Sequence, residues 1–117
     1  MPSSAKLAAG RDAVHRAVAA WEGVSVAEHR FGGVEFRVGR RELGHVHPKF
    51  ADLPFPRRVR DELVASGRAR PHHILPDSGW VTVPMRTGPE VANVIALFRM
   101  AYERAVGAAR PDDQSVG

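Results

Sequence analysis

Four histidines and one aspartate hold most of the chemistry this sequence could perform. His45 and His47 stand two apart in the stretch Leu43–Pro54, LGHVHPKFADLP. Asp52 lies in the same stretch, and the pair His72-His73 follows about one helix later. Imidazole serves as a metal ligand, as an acid–base near neutral pH and as a hydrogen-bonding partner. On a strand, side chains two apart point the same way, so His-x-His presents two rings to one ligand or one ion. We therefore expect a small-ligand site at His45, His47, His72, His73 and Asp52, with Trp80 beside Asp52 at its mouth. Arg57 or Arg58 would draw an anionic group toward it. If the ligand is a metal, His45, His47 and His73 are the expected ligands, with Asp52 at hand to complete the set. The pattern names neither a reaction nor a cofactor.

Other chemistries find less support. The chain has no cysteine, hence no thiolate nucleophile, thiolate metal site or disulfide. Ser78 sits in DSGW, which lacks the nucleophile-elbow pattern and reads as a turn. Gly32-Gly33 and Gly39 lack the spacing of a dinucleotide or phosphate loop. Asp61-Glu62 falls in mid-helix and does not form a catalytic carboxylate pair.

The charge is unevenly spread. Of the formal +4, residues 30–70 carry 10 basic and 5 acidic side chains, so all the excess lies in the middle of the chain. Arg37, Arg40, Arg41, Arg57, Arg58 and Arg60 could form a patch for a nucleic-acid backbone, the alternative function. Few aromatic residues accompany them, unlike a stacking platform. No apolar run is long enough to cross a bilayer, and MPSSAKLAAG lacks a signal-peptide core. A cytoplasmic monomer or homodimer without membrane contact is the expectation.

The elements that must hold these residues can be read in order. Ser3 or Ser4 caps a first helix reaching about Glu22, with Leu7, Val14, Val18 and Trp21 on one stripe and Gly23 as the stop. Val24, Val26 and Glu28 form a short strand before the turn Phe31-Gly32-Gly33. Val34, Phe36 and Val38 alternate with polar residues, and Gly39-Arg40 makes a two-residue hairpin loop. In the expected register Val38 faces Arg41, Phe36 faces Leu43 and Val34 faces His45. That register puts His45 and His47 on the covered, apolar side; a slip of one residue would put Gly44 and Val46 there instead.

Pro48 ends this strand, and Lys49 to Phe55 is an irregular link with room for a short strand over Phe50–Leu53. Pro56 opens a short helix, Arg57 to Ser66, closed by Gly67. Strands at Arg70–Leu75 and Trp80–Met85 flank the turn Pro76–Gly79, and adjacent His72 and His73 point to opposite faces, so that only one joins His45 and His47. Thr87-x-x-Glu90 is a capping box for a last helix whose buried face is Val91, Val94, Ile95, Phe98, Tyr102 and Ala105. The fold class is α+β: an antiparallel sheet of about five strands covered by N- and C-terminal helices, with a short helix between strands three and four. One domain spans 1–107, and 108–117 is a disordered tail.

The segments GHVHP, ADLPFP, RPHHILPDSGWVTVPM and VIALFRMAYERA together resemble a small luciferase-like domain family of bacteria and fungi, over about residues 33–106. The chain has neither the length of a flavin-dependent luciferase barrel nor a beetle-type adenylating motif. The resemblance implies no particular activity and brings no catalytic residues with it. The layout, with Gly-Trp opening the last strand and a long final helix, is also similar to MmcQ/YjbR-like proteins, which implies a CyaY-like fold and a DNA-binding role.

Overall fold

The computed structural model describes residues 3–28 and 33–109. Phe31 and Gly32 of the expected turn, and residues 110–117 of the expected tail, lie outside them. Helix α1 (Ser4–Ala19) starts where Ser3 Oγ accepts a hydrogen bond from the Lys6 amide, 3.1 Å away. Five strands and a short helix follow: β1 (Val24–Glu28), β2 (Val34–Val38), β3 (Arg41–Val46), β4 (Phe50–Pro54), α2 (Arg57–Ala65) and β5 (Arg70–Pro71). The chain then forms β6 (Trp80–Pro84) and α3 (Gly88–Ala109). At the start of α3 the capping box forms in both directions, Glu90 N–H to Thr87 Oγ1 and Thr87 N–H to Glu90 Oε1. Beyond the expected stop, α3 runs through Gly107 to Ala109.

The six strands form one antiparallel sheet in the order β1-β2-β3-β4-β6-β5. The α+β class is as expected. The sixth strand is β4, which pairs on both sides in the sheet interior, so the short helix falls between the fourth and fifth strands. Helix α3 packs on β2, β3, β4 and β6 and against α1, while α2 packs on β5 and β6. Phe36, Ala51, Leu53, Val81 and Val83 from the strands meet Val94, Leu97 and Phe98 from α3, all fully buried.

The register of β2 and β3 corrects the expected one. Val38 does face Arg41, but Phe36 faces Gly44, Glu35 faces His45 and Val34 faces Val46. The register shifts between Phe36 and Arg37, whose partner is Glu42, so Leu43 is an extra residue on β3. Gly44 explains the bulge. Its φ is +149°, and a Cβ there would lie 2.7 Å from the Asp52 carbonyl oxygen and 3.0 Å from Phe98. Only glycine lets β3 pass this close beneath α3. From the bulge onward Gly44 and Val46 face inward, and His45 and His47 project from the sheet face turned away from α3, the outer face.

Candidate functional site

The outer face gathers the polar residues of three strands. His45 on β3 pairs with Asp52 on β4, which pairs with Thr82 on β6. Chain alternation sends Ala51 and Leu53 to the core and Asp52 outward. Asp52 nevertheless has only 1 % of its surface exposed, because imidazoles close over it. Its Oδ1 accepts a 2.7 Å hydrogen bond from Thr82 Oγ1. Its Oδ2 lies 3.3 Å from His45 Nε2, 3.3 Å from His47 Nε2 and 3.6 Å from His72 Nε2. Three imidazoles thus surround one buried carboxylate oxygen.

His47 sits just past β3, where its amide donates to the Phe50 carbonyl to close the Pro48-Lys49 turn. Its ring packs on Phe50 at 4.6 Å and edge-on to His45 at 5.0 Å. His72 and His73 both reach this face, which corrects the expectation that only one would. Strand β5 ends at Pro71, so strict alternation no longer applies, and the two rings stack at 4.4 Å. His72 Nδ1 accepts the backbone N–H groups of Ile74 and Leu75, each at 3.1 Å. His73 Nδ1 lies 3.3 Å from Thr82 Oγ1.

The electrostatics follow from these contacts. Burial works against a charged His45, but Asp52 and Glu42 outweigh it and raise its pKa to about 9. Burial likewise opposes ionisation of Asp52, yet His45, Thr82 and His72 hold its carboxyl below the usual range. For His72 burial prevails, aided by His73 and His45, and the ring is held below the usual imidazole pKa despite Asp52. Its hydrogen bonds agree, because an Nδ1 that accepts two amides has no place for a proton.

These residues line a cleft of about 410 Å³ that His45, His47, Asp52, His72 and His73 share with Trp80, Ile74 and Leu75. Trp80 lies 5.4 Å from the His45 ring. Asp52, expected at the mouth, forms the floor. Ile74 and Leu75 are 71 % and 49 % exposed and form an apolar lip. Segment 72–79 holds them there through the His72 bonds, Ser78 Oγ to the Leu75 carbonyl, and Arg60 to the Pro76 carbonyl.

Arg57 and Arg58 are exposed on α2 and are not among the residues lining the cleft. Arg37 is paired with Glu35 and donates to the Arg40 carbonyl, and Arg60 is paired with Asp61. Arg40 and Arg41 are exposed at the β2–β3 turn.

Two contributors escaped the sequence reading. Glu42 Oε2 lies 2.8 Å from His45 Nδ1, although the two are three apart in sequence and a regular strand would place them on opposite faces. The bulge at Leu43 brings them together, and the glycine inside the strand pattern was its signal. Thr82 was the other, a lone polar residue facing outward in the apolar strand WVTVP.

An antiparallel sheet backed by two helices, with a histidine–carboxylate cleft on its outer face, defines the class: a small α+β domain with a histidine cluster on one side of its sheet. Residues 40–101 match the family model described as Luciferase domain, and the chain belongs to that family. The matched span includes every residue named in the cleft and leaves α1, β1 and β2 outside it. No curated protein and no solved structure matches the chain, and kinship with MmcQ/YjbR-like proteins is not shown. Among the described residues, no helix is long and apolar enough to cross a membrane.

Proposed function

We propose that this domain binds a small organic molecule in the cleft on the outer face, with its ring or chain against Trp80, Ile74 and Leu75 and a polar group directed at the histidine–aspartate floor. One observation carries the reading. Among the described residues only Val26, Ile74 and Leu75 are large hydrophobics left exposed, and two of these three border the cleft that holds Asp52 and four histidines. Apolar walls with a few convergent polar groups are the usual make-up of a ligand pocket. The volume suits a molecule of one or two rings.

The floor also bears on the ligand's charge. Glu42 and Asp52 are two carboxylates in contact with His45, and among the described residues no arginine lines the cleft. Without a further cation the site favours a neutral or positive ligand over the anion expected from the sequence.

The chain has two tryptophans, so two indole N–H signals report the result directly. Phenol, benzoate and benzylammonium, titrated separately, test shape and charge together. Phenol should shift the Trp80 indole and leave that of Trp21, which packs on Tyr102 elsewhere in the fold. Failure of all three probes to move Trp80 would overturn the proposal.

A further inference from the structure

We infer that the floor of the cleft is a binding site for a divalent first-row transition metal, held by His45 Nε2, His47 Nε2 and the Asp52 carboxylate. The inference deepens the ligand-binding reading. It rests on that reading only for the molecule that completes the coordination sphere.

The spacing is the first argument. His45 Nε2 and His47 Nε2 are each 3.3 Å from Asp52 Oδ2. A charge-assisted hydrogen bond between such groups closes to roughly 2.7–2.9 Å, and His45 Nδ1 and Glu42 do so at 2.8 Å. Ligand atoms at about 2.0–2.1 Å from a tetrahedral ion are separated from one another by about 3.3–3.4 Å. The contacts to Asp52, long for a charge-assisted hydrogen bond, also have the length of a coordination edge. All three ligand atoms lie within 4.8 Å of one another.

The second argument is the tautomer. A metal would displace the proton that cationic His45 carries on Nε2; with Nδ1–H still donating to Glu42, the freed lone pair faces Asp52 and His47. A carboxylate behind a ligating histidine is the usual outer-shell device for fixing ring orientation and raising ligand basicity. Glu42 is thus a positioning residue, placed by the bulge.

The histidines are not equivalent as ligands. Asp52, His72 and His73 are also close enough to form a set. But His72 Nδ1 accepts two backbone amides, so the neutral ring carries its proton on Nε2 and has no lone pair to offer there. His72 instead directs its N–H at Asp52 Oδ2 and helps to hold the carboxylate. His73 is then left with Asp52 alone, too few ligands for a site. The structure thus favours Asp52 over His73, the third ligand expected from the sequence.

Two imidazoles and one carboxylate on one face leave coordination positions open toward Trp80 and the lip. Three protein ligands with open positions are the arrangement of reactive rather than purely structural metal sites. A bound dication would also reverse the charge preference of the cleft, because it offsets the two carboxylates and gives an anionic oxygen donor a partner. Benzoate should then bind only when the metal is present.

The test is cobalt(II) titration of tag-free, chelator-treated protein near neutral pH, followed by visible d–d absorption. One equivalent should bind with a tetrahedral or five-coordinate spectrum, and zinc(II) should displace it. His47→Ala, at a partly exposed position, should weaken binding by at least about 100-fold while the far-ultraviolet dichroism stays native. Asp52→Ala should do the same if it folds. Glu42→Gln should keep the band shape but weaken binding about 10-fold. His73→Ala should retain the spectrum. Absence of cobalt bands, or their survival in His47→Ala with loss in His73→Ala, would overturn the inference. A phenol shift at Trp80 in metal-free protein would persist in either case, so failure here is distinguishable from failure of the cleft itself.

Discussion

On the side facing α3, Phe36, Leu53, Val81 and Val83 of the sheet meet Leu97 and Phe98, and none retains measurable exposure. The opposite side of the same strands carries Glu35, Arg37, His45, Asp52, Trp80 and Thr82. The inner face is a packing problem with one solution, where each side chain is fixed by volume. The outer face is a hydrogen-bonding problem in which one carboxylate organises its neighbours. The comparison suggests that inner-face substitutions are felt mainly as stability, and outer-face substitutions mainly as binding.

Phe98→Ala gives the strongest test of the first half. The ring is fully buried against Phe36, with centroids 5.5 Å apart, and its removal leaves a cavity beneath the centre of the sheet. We expect a loss of about 4 kcal/mol in chemical denaturation. A loss no larger than that of Trp80→Ala, measured alongside, would break the contrast between faces.

Gly44→Ala probes the point where the faces are coupled. Its Cβ would press on the Asp52 carbonyl, Leu53 and Phe98, and its φ of +149° disfavours any side chain. We expect a cost of about 3 kcal/mol. Because Gly44 lies between Glu42 and His45, the variant should also disturb the alignment of those two. An unchanged His45 ring environment by NMR would mean that the bulge does not set it.

Asp52→Asn tests the organising carboxylate. The amide oxygen can still accept from Thr82, but the charge facing three imidazoles is gone. We expect a stability loss of about 1–2 kcal/mol, smaller than for Phe98→Ala although the side chain is equally buried. A larger loss would make the outer face as structural as the inner one.

How far the sequence revealed each face follows from the same contrast. The stripe on α3 and the alternation in β2 record burial directly, because periodicity is what burial writes into a chain. Helix α3, the hairpin at Gly39-Arg40 and the α+β class were therefore legible. So was the proximity of His45, His47, Asp52 and Trp80, which line one cleft. Their facing was not: a single extra residue inverts the parity of everything after it, and grouping apolar residues favoured the unbulged register. Neither was the convergence of His72 and His73, since β5 stops before them and alternation says nothing about a turn. Strand β4 was obscured by Pro54 and by Asp52, a charged residue where an interior strand usually carries an apolar one.

Ile74→Ser and Leu75→Ser, made together, should have the smallest effect on folding and the most selective effect on binding. Ile74 is largely and Leu75 half in solvent, so their loss removes little buried area, and the backbone amides that His72 accepts are unchanged. Stability should remain within about 0.5 kcal/mol of the parent. Phenol affinity, read at the Trp80 indole, should fall by about tenfold, as expected from losing apolar contact worth roughly 1.4 kcal/mol. Cobalt binding should not change, since neither residue reaches the floor. If the double variant instead gains stability and keeps its phenol affinity, the exposed pair is a surface blemish and the cleft has no lip; if it loses cobalt as well, segment 72–79 holds the floor together more than the hydrogen bonds of Asp52 imply.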